Sequence, residues 1–495
     1  MAKRTTSPVL ALPPRERGTP AYRWLCSALR SEILDGQLAR GARLPATRDL
    51  ARQYGLSRGT IVSAFEQLRS EGYVEGTVGS GTYVNTVLPD HLLQVATTAS
   101  GAPRVQRNRP RTVSAFATRI TLFPPVQPGA TRAFRANQPA LDLFPTTLWA
   151  QLAGRRLRRA STVDLLGCDP LGYRPLREAV ADYVRVSRGV DCATEQVAIV
   201  SGVQEALDLI ARLVVNPGDR VGMESPGYAG ASRVFTALGA RIAALGVDDE
   251  GLRVPSAAVR GVRLVYVTPA HQFPLGMSMS LARRLALLEW ARQSGALLFE
   301  DDYDSEFRYA GRPVPALQGL DRHGVVVFAG SFSKVLFPSL RLGYLVVPPD
   351  LVDYVAAAQS ITNRHAPVLD QAVLSDFIAG GHFGRHVRRM REVYAERLGV
   401  LVDCARERLT GVLEISGVEA GLQTVGWLGD GIDDEAVTSA AARRQVEVRP
   451  LGRFGRGRVT RHGLQLGFAA VDATEIRRGV AALASAVGEV SRVRR

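Results

Sequence analysis

Apolar positions in the first part of the chain recur every three or four residues, which is the spacing of helices. Residues 22–37 form one such stretch, residues 47–54 form a shorter one that stops at Gly55, and a third runs from Ser57 to Gly72. Ser57 is a natural helix N-cap, and glycine commonly ends a helix. The apolar stripes of the first and third stretches consist of Leu25, Leu29 and Ile33, and of Ile61, Phe65 and Leu68.

β-Branched and aromatic residues around glycine-rich turns follow in residues 73–84, YVEGTVGSGTYV, and predict a short hairpin. Residues 86–130 have no sustained period and contain several prolines and five arginines against one acidic residue, which predicts a linker. Two roles are open for this linker: its charge can follow a DNA backbone, or it is a solvated, flexible spacer.

From about Phe134 onward, strand-like apolar runs alternate with amphipathic helical stretches. The runs are VAIV, RLVYVTP, ALLFE, VVVFAG and YLVV. This alternation predicts a mainly parallel sheet covered by helices on both faces, in which ligands bind at the carboxyl ends of the strands. We therefore divide the chain into an N-terminal domain of helices and a hairpin (1–85), a basic linker (86–130) and an α/β domain (131–495).

The composition excludes several classes of protein. At 495 residues the chain is too long for one hydrophobic core, and 46% apolar residues without a run of bilayer length predict a protein with no membrane span. The N-terminus lacks the pattern of a secretory signal, so we expect a cytoplasmic protein. The four cysteines are far apart and have no Cys/His spacing, which argues against a disulfide framework and against a metal site.

Charge is unevenly distributed along the chain. The first 120 residues hold 17 Lys and Arg against 8 Asp and Glu, and so carry most of the net charge of +15. This end is the candidate for binding a polyanion. Almost all basic residues are arginine, and the only lysines are Lys3 and Lys334.

The start of the third predicted helix carries groups suited to DNA. Its backbone N–H groups and the hydroxyls of Ser57 and Thr60 suit phosphate oxygens, and Arg58 can reach a guanine edge or a phosphate. Arg43 and Arg48, before and within the second helix, are candidates for contacts to the DNA backbone.

The stretch GARLPATRDLARQYGLSRGTIVSAFEQLRSEGYVEGTVGSGTYV resembles the GntR-type winged helix over some 45 residues. The resemblance implies double-stranded DNA as a partner. The positions that it implies for DNA contact are Arg48, Ser57, Arg58, Thr60 and the wing residue Gly79.

The α/β domain holds the groups that a pyridoxal 5'-phosphate (PLP) site requires, beginning with a lysine for the imine bond. Lys334 follows the strand VVVFAG, so its amine is expected at the carboxyl edge of the sheet. Arginine cannot replace it, because a guanidinium stays protonated. The predicted phosphate ligands are Ser331, Ser333 and Arg341, together with the strand-to-helix turn of Ser201, Gly202, Val203 and Gln204.

The run ALLFEDDYDSEF supplies a carboxylate for the pyridine nitrogen, and Asp301 is our choice. Tyr303 is the candidate donor to the phenolic oxygen, and Tyr228 is either stacked on the ring or a core tyrosine. The neighbouring acids, Glu300, Asp302 and Asp304, are open to interpretation as solvated loop charges, and the preference for Asp301 over Asp302 rests on the resemblance given next.

The segments DPLGYRPLREAVADY, SGVQEAL, ESPGY, TPAHQFPLG, EDDYDSEFRY and SFSKVLFPSLRLGY, after a GntR-type module and an arginine-containing linker, resemble the MocR/GabR subfamily of bacterial regulators. The resemblance implies a fold-type I aminotransferase-like domain with a smaller C-terminal α+β subdomain and PLP held as an imine. It also implies a homodimer, often head-to-tail, with DNA-binding arms passed across to the partner.

One position departs from the aminotransferases of this fold. Many of them have an arginine for the substrate α-carboxylate in a segment like RLNFA, where this chain reads LQLGFA with Gln465. Gln465 is neutral and cannot form the forked ion pair. Arg449 and Arg461 are both open as replacements.

We therefore expect a PLP-dependent transcriptional regulator whose operator binding responds to PLP or to an amine that reacts with PLP. Two other functions remain to be separated from it by experiment. One is a working aminotransferase with a fused DNA-binding domain, and the other is a DNA-binding protein whose PLP site is vestigial.

Overall fold

The computed structural model describes residues 10–15, 18–77, 81–88, 111–123, 131–256, 260–310, 315–415, 419–455 and 461–493. The chain forms two compact units, Met1–Arg111 and Thr112–Arg495. The border between them falls inside the predicted linker, and the exact bounds of the three predicted domains remain a prediction.

The N-terminal unit is a helix-turn-helix followed by a hairpin, as predicted. Its elements are α1 (Ala21–Leu34), α2 (Thr47–Tyr54), α3 (Arg58–Ser70), β1 (Val74–Thr77) and β2 (Gly81–Val84). The predicted apolar stripes of α1 and α3 form its core. Gly55 ends α2 in the left-handed conformation (φ 62°), which glycine adopts without strain. The first helix begins one residue earlier and ends three residues earlier than predicted, because the chain turns at Asp35.

Part of the predicted linker is ordered. Residues Ala115–Arg119 form α4, whose N-cap Ser114 accepts a hydrogen bond from Ala117 N. Its Arg119 donates to the Ala237 carbonyl at 3.4 Å, and the Arg212 guanidinium lies 5.2 Å from the centre of the Phe116 ring. A helix of five residues is too short to produce a periodic pattern, so this part of the linker was not predicted to pack on the C-terminal unit.

The C-terminal unit alternates strands and helices in its first part. The elements are α5 (Thr146–Arg159), α6 (Thr162–Leu166), α7 (Arg174–Arg188), β3 (Val197–Val200), α8 (Val203–Val214), β4 (Arg220–Ser225), α9 (Ala229–Leu238), β5 (Arg241–Asp248), β6 (Gly251–Leu252), β7 (Val262–Val267), α10 (Leu281–Ser294), β8 (Leu297–Asp302), α11 (Leu317–Leu320), β9 (Val326–Ser331) and β10 (Gly343–Val346).

The second part of this unit is mostly helical around a small sheet. Its elements are α12 (Val352–Thr362), α13 (Val368–Ala379), α14 (His382–Arg408), β11 (Leu413–Ile415), β12 (Gln423–Leu428), α15 (Asp434–Arg443), β13 (Arg449–Pro450), β14 (Gly463–Gly467) and α16 (Ala473–Val493). Within the described residues, no helix is both long and apolar enough to cross a membrane.

Among the described residues, the large sheet has eight strands in the order β3-β10-β9-β8-β7-β4-β5-β6. The five neighbouring strands from β9 to β5 are parallel, and β10 runs antiparallel to both β9 and β3. The small sheet is antiparallel, in the order β11-β12-β14-β13. This arrangement confirms the predicted α/β class with a smaller C-terminal α+β part.

Candidate functional site

The predicted cofactor residues meet at one edge of the large sheet. Because β10 is antiparallel to both of its neighbours, β3 runs in the same direction as β4, β7, β8 and β9. The carboxyl ends of these five strands therefore lie at one edge, where side chains from distant parts of the sequence come together. Ser201 follows β3, Asp301 lies near the end of β8, and Lys334 lies three residues after β9.

Lys334 is held by the main chain of a distant segment. Its Nζ donates a hydrogen bond to the Asn137 carbonyl at 2.8 Å. Burial lowers the pKa of the amine to about 8, and the positive charges of Arg449 and Arg341 act in the same direction against the nearby carboxylates. A substantial fraction of the amine is thus neutral near pH 8, which is the state that attacks an aldehyde.

Asp301 is a buried carboxyl group that forms no ion pair with any residue in the described part of the chain. Its Oδ2 accepts a hydrogen bond from the Tyr266 hydroxyl at 2.5 Å, and its Oδ1 has no hydrogen-bond partner in the described part of the chain. Burial raises its pKa to about 7. A protonated ring nitrogen placed at Oδ1 would favour the ionised carboxylate and reverse that shift.

The acidic residues next to Asp301 are buried, so the interpretation of them as solvated loop charges was wrong. Glu300, Asp302 and Asp304 are 1%, 6% and 1% exposed. Glu300 accepts hydrogen bonds from two backbone N–H groups, and Asp302 forms an ion pair with Arg188 at 2.7 Å. These pairings give a physical reason to prefer Asp301, which sequence alone did not provide.

Tyr303 and Asp304 both contact His271, a residue not predicted for the site. The His271 Nδ1 atom lies 3.0 Å from the Tyr303 hydroxyl and 2.9 Å from Asp304 Oδ1. The histidine belongs to the segment TPAHQFPLG, directly after β7, so its position at a strand end was a usable signal. The interaction orients the Tyr303 phenol at this edge of the sheet.

Tyr228 is half-buried at the start of α9. Its ring stacks on that of Tyr266 with centroids 6.1 Å apart, and its hydroxyl donates to Gln204 Oε1 at 3.2 Å. It therefore touches both the partner of Asp301 and the turn after β3.

The predicted phosphate cradle comes together from two segments. Gly202, with φ 105°, leads into the N-terminus of α8, and a Cβ atom there would lie 3.5 Å from the Arg341 guanidinium. Arg341 is exposed, and its guanidinium forms no hydrogen bond or ion pair with any residue that the structure describes. Ser333 is buried with its Oγ unpaired, whereas Ser331 Oγ accepts from Ser333 N at 3.2 Å.

One part of the cradle is already engaged. The backbone N–H of Ser201 donates to the Glu205 carboxylate, so it is not free for a phosphate in this state. Val203 is the first residue of α8, and Gln204 Nε2 donates to the Gly230 carbonyl at 3.2 Å.

The groups at this edge of the sheet match the parts of PLP. A depressed-pKa amine suits the aldehyde, the free Asp301 oxygen suits the ring nitrogen, and the Ser333 hydroxyl with the Arg341 guanidinium suits the phosphate. The residues present therefore fit this cofactor.

In the N-terminal unit, the predicted DNA-binding residues surround the start of α3. Ser57 caps the helix by accepting from Thr60 N at 3.1 Å, and its hydroxyl also bonds to Thr60 Oγ1 at 2.8 Å. Arg58 and Arg48 are exposed. Arg43 is exposed beside the hairpin, where it forms a β-bridge with Tyr83. Gly79 lies outside the described residues.

Two family models match the two units. The model of bacterial regulatory proteins of the gntR family matches residues 21–84, and that of aminotransferase class I and II matches residues 134–483. The probable rhizopine catabolism regulatory protein MocR of Rhizobium meliloti is 41% identical over 474 residues, covering 95% of this chain and 94% of that protein. This chain belongs to the MocR-type transcriptional regulators.

Other relatives and solved structures agree with this placement. The pyridoxine biosynthesis transcriptional regulator PdxR of Corynebacterium glutamicum is 32% identical, over 97% of this chain and 98% of PdxR. The α-aminoadipate aminotransferase LysN of Thermus thermophilus, solved with N-(5'-phosphopyridoxyl)-L-leucine, is 27% identical with a TM-score of 0.69, covering 77% of this chain and 98% of LysN.

These matches confirm the predicted MocR-type architecture, the aminotransferase-like fold and PLP as the cofactor. The MocR-type chain is a DNA-binding regulator. The individual site residues remain predictions, to which the geometry adds Tyr266, His271 and Asn137.

Proposed function

We propose that operator binding by this chain changes when PLP, or an amine that reacts with PLP, occupies the C-terminal unit. The observation that carries the proposal is the environment of Lys334. Its amine, whose pKa is lowered, lies at a sheet edge that also presents the Asp301 Oδ1 atom and the Arg341 guanidinium, both without a partner among the described residues. The same chain carries a GntR module at residues 21–84.

Each residue has a distinct task in this proposal. PLP supplies an aldehyde that bonds to an amine and a ring that withdraws electrons. Lys334 Nζ provides the resident amine, and Asp301 holds the proton of the ring nitrogen. Arg341, Ser333 and the N-terminus of α8 bind the phosphate, Tyr303 donates to the phenolic oxygen, and Tyr228 covers the ring.

On the DNA side, the exposed start of α3 reads the operator. Arg58 is the base-reading candidate because it is exposed at the first helical position. Arg43 and Arg48 bind the DNA backbone, and Ser57 and Thr60 approach phosphates.

We further propose a homodimer. An apolar set on α5, α6 and α12 is largely exposed, which is unusual for a surface without a partner. It consists of Leu157, Val163, Leu165, Leu166 and Ile361, which are 59%, 71%, 69%, 81% and 86% exposed. Sedimentation should give twice the mass of 53.4 kDa. A monomer at micromolar concentration would contradict this part of the proposal.

The test of the regulatory response compares operator binding by the apo-protein, the holo-protein and the holo-protein with candidate amines. The operator is first selected from the DNA flanking the gene. We expect the affinity to differ at least severalfold between apo and holo forms, with no difference for Lys334→Ala at equal PLP. Equal binding in all states would overturn the proposal.

A second candidate function is catalysis. The aromatic-amino-acid aminotransferase 1 of Thermococcus litoralis is 28% identical over 71% of this chain and 86% of its own length. A half-reaction assay separates the candidates, since an aminotransferase converts bound PLP to the amine form of the cofactor with a common amino acid. Rapid and complete conversion would favour the enzyme.

A further inference from the structure

Two buried glutamines share one face of the small sheet. Gln465 on β14 lies opposite Val425 on β12, and Gln423 on β12 lies opposite Gly467 on β14. Directly opposed residues in an antiparallel pair point to the same face, and so do positions two apart on a strand. Gln423 and Gln465 are therefore diagonal neighbours on one face.

Neither amide is satisfied. Gln423 is 1% exposed and Gln465 is 0% exposed. The oxygen and the nitrogen of both side chains have no hydrogen-bond partner among the described residues. Native proteins pair most buried polar atoms, so four unpaired atoms on adjacent side chains point to a missing polar ligand.

This face adjoins the cofactor residues. A Cβ atom at Gly467 would lie 2.1 Å from the Arg135 carbonyl, so the main chain of residues 135–136 runs directly along the glutamine-bearing face. The next residue, Asn137, accepts the hydrogen bond from Lys334. On β12, Leu422 N, next to Gln423, donates to Asp304 Oδ2 at 3.2 Å.

Their positions relative to this face distinguish Arg449 from Arg461, the two candidates for replacing the carboxylate-binding arginine. Arg449 on β13 lies opposite Gln465, and its charge reaches Lys334 and Tyr228. Arg461 instead covers the Trp427 ring at 4.7 Å and pairs with Glu414 at 3.4 Å. By the rule used for the glutamines, Arg449 lies on the same face, but it is exposed, whereas Gln465 and Gln423 are buried neutral amides.

An amide both donates and accepts hydrogen bonds. A hydroxyl or a carboxamide can satisfy both functions, whereas a carboxylate accepts only and leaves the Oε1 atoms unpaired. We infer that the effector is a primary amine flanked by neutral donor–acceptor groups, as in an amino alcohol or an amino-acid amide, and that Gln465 and Gln423 bind those groups. The inference rests on the proposed function.

In the exchange that follows, the ligand nitrogen replaces Lys334 Nζ on the aldehyde carbon of the cofactor. One carbon–nitrogen double bond forms as the other breaks. The two protons of the ligand amine pass to Nζ, which leaves as a free amine and can again donate to the Asn137 carbonyl.

The test titrates the holo-protein with matched pairs of amines, serinol against serine and alaninamide against alanine, and follows the cofactor absorbance. We expect the neutral amine of each pair to change the absorbance at a concentration at least about tenfold lower than that of its charged partner. This is the effect of one charged or mismatched hydrogen bond. Gln465→Arg should reverse the order. Gln465→Met, whose side chain has a similar shape, should weaken the response to serinol about tenfold without favouring serine. This second variant keeps the test decisive if the arginine variant does not fold.

Arg461→Gln is the matched control and should behave like the wild type. Amino acids that act as well as their neutral partners in the wild type would overturn the inference, as would a Gln465→Met variant with an unchanged response to serinol. Failure of the proposed function has a different signature, namely a purified protein that binds no PLP or whose operator binding ignores the cofactor.

Discussion

The two units place their functional residues in opposite ways. In the N-terminal unit, the described DNA-binding candidates lie within residues 43–60 and mostly on the surface. In the C-terminal unit, the predicted cofactor residues span 201–341, and all but Arg341 are buried or half-buried. Burial raises the pKa values of Asp301, Tyr303 and Tyr228 and lowers that of Lys334. The contribution of an exposed arginine depends on the ligand that binds it, whereas the ionisation of a buried carboxyl group depends on each residue that contacts it. Substitutions in the two units should therefore differ in size and kind.

The largest expected effect is that of Lys334→Ala. No other lysine exists beyond residue 3, so the variant should lose all covalent PLP. Mass spectrometry after borohydride reduction measures this, and wild-type protein reduced in parallel serves as the control. PLP trapped on the variant would disprove the assignment of Lys334 as the imine-forming residue.

Asp301→Asn comes next. It removes the only charge proposed for the ring nitrogen, and a charged hydrogen bond contributes about 1.5–3 kcal/mol. PLP affinity should fall about tenfold to a hundredfold, measured by equilibrium dialysis of the apo-protein. Asp208→Asn is the control, because Asp208 forms an exposed pair with Arg212 on α8. Equal affinities of the two variants would remove Asp301 from the site.

Arg58→Ala tests the exposed unit. Loss of a base contact should cost about 1–3 kcal/mol for the operator and little for random DNA, while loss of a phosphate contact would weaken both and reduce the salt dependence. Binding across several salt concentrations separates these outcomes. Arg52→Ala, exposed on α2 and not a predicted contact, is the control. If both variants bind like the wild type, Arg58 does not contact DNA.

The smallest effect is a pH dependence. Because burial lowers the pKa of Lys334 to about 8, the neutral amine is available at lower pH than for an exposed lysine. The rate of PLP capture by the apo-protein should rise about tenfold from pH 7 to pH 9 and then level off. Stopped-flow absorbance measures it. A rate that keeps rising through pH 10 would show an unperturbed lysine.

Local patterns predicted the N-terminal unit well. Its helices follow from short-range periodicity, and the one error, at residues 35–37, concerns a helix end. The strand ends of the C-terminal unit were also predictable, because buried runs such as VAIV mark parallel strands. This is why Lys334, Asp301 and the turn at Gly202 could be predicted to lie at one edge of the sheet.

The remaining contacts depend on pairings that a local pattern does not contain. Asn137 and Lys334 are 197 residues apart, and Tyr266 and Asp301 meet only because β7 and β8 are neighbours. The burial of Asp302 depends on Arg188, 114 residues earlier in the chain. Sequence thus identified the chemical groups but not the partners that set their ionisation.

The hydrogen bond from Lys334 to the Asn137 carbonyl competes with PLP for the amine. Capture of PLP takes the amine away from that carbonyl, so the measured affinity is the intrinsic one reduced by the free energy of the resting bond. A bond of this kind contributes about 0.5–1.5 kcal/mol, equivalent to about a twofold to tenfold reduction in affinity. If operator binding responds to PLP as proposed, the concentration at which it responds is therefore set partly by the Asn137 carbonyl.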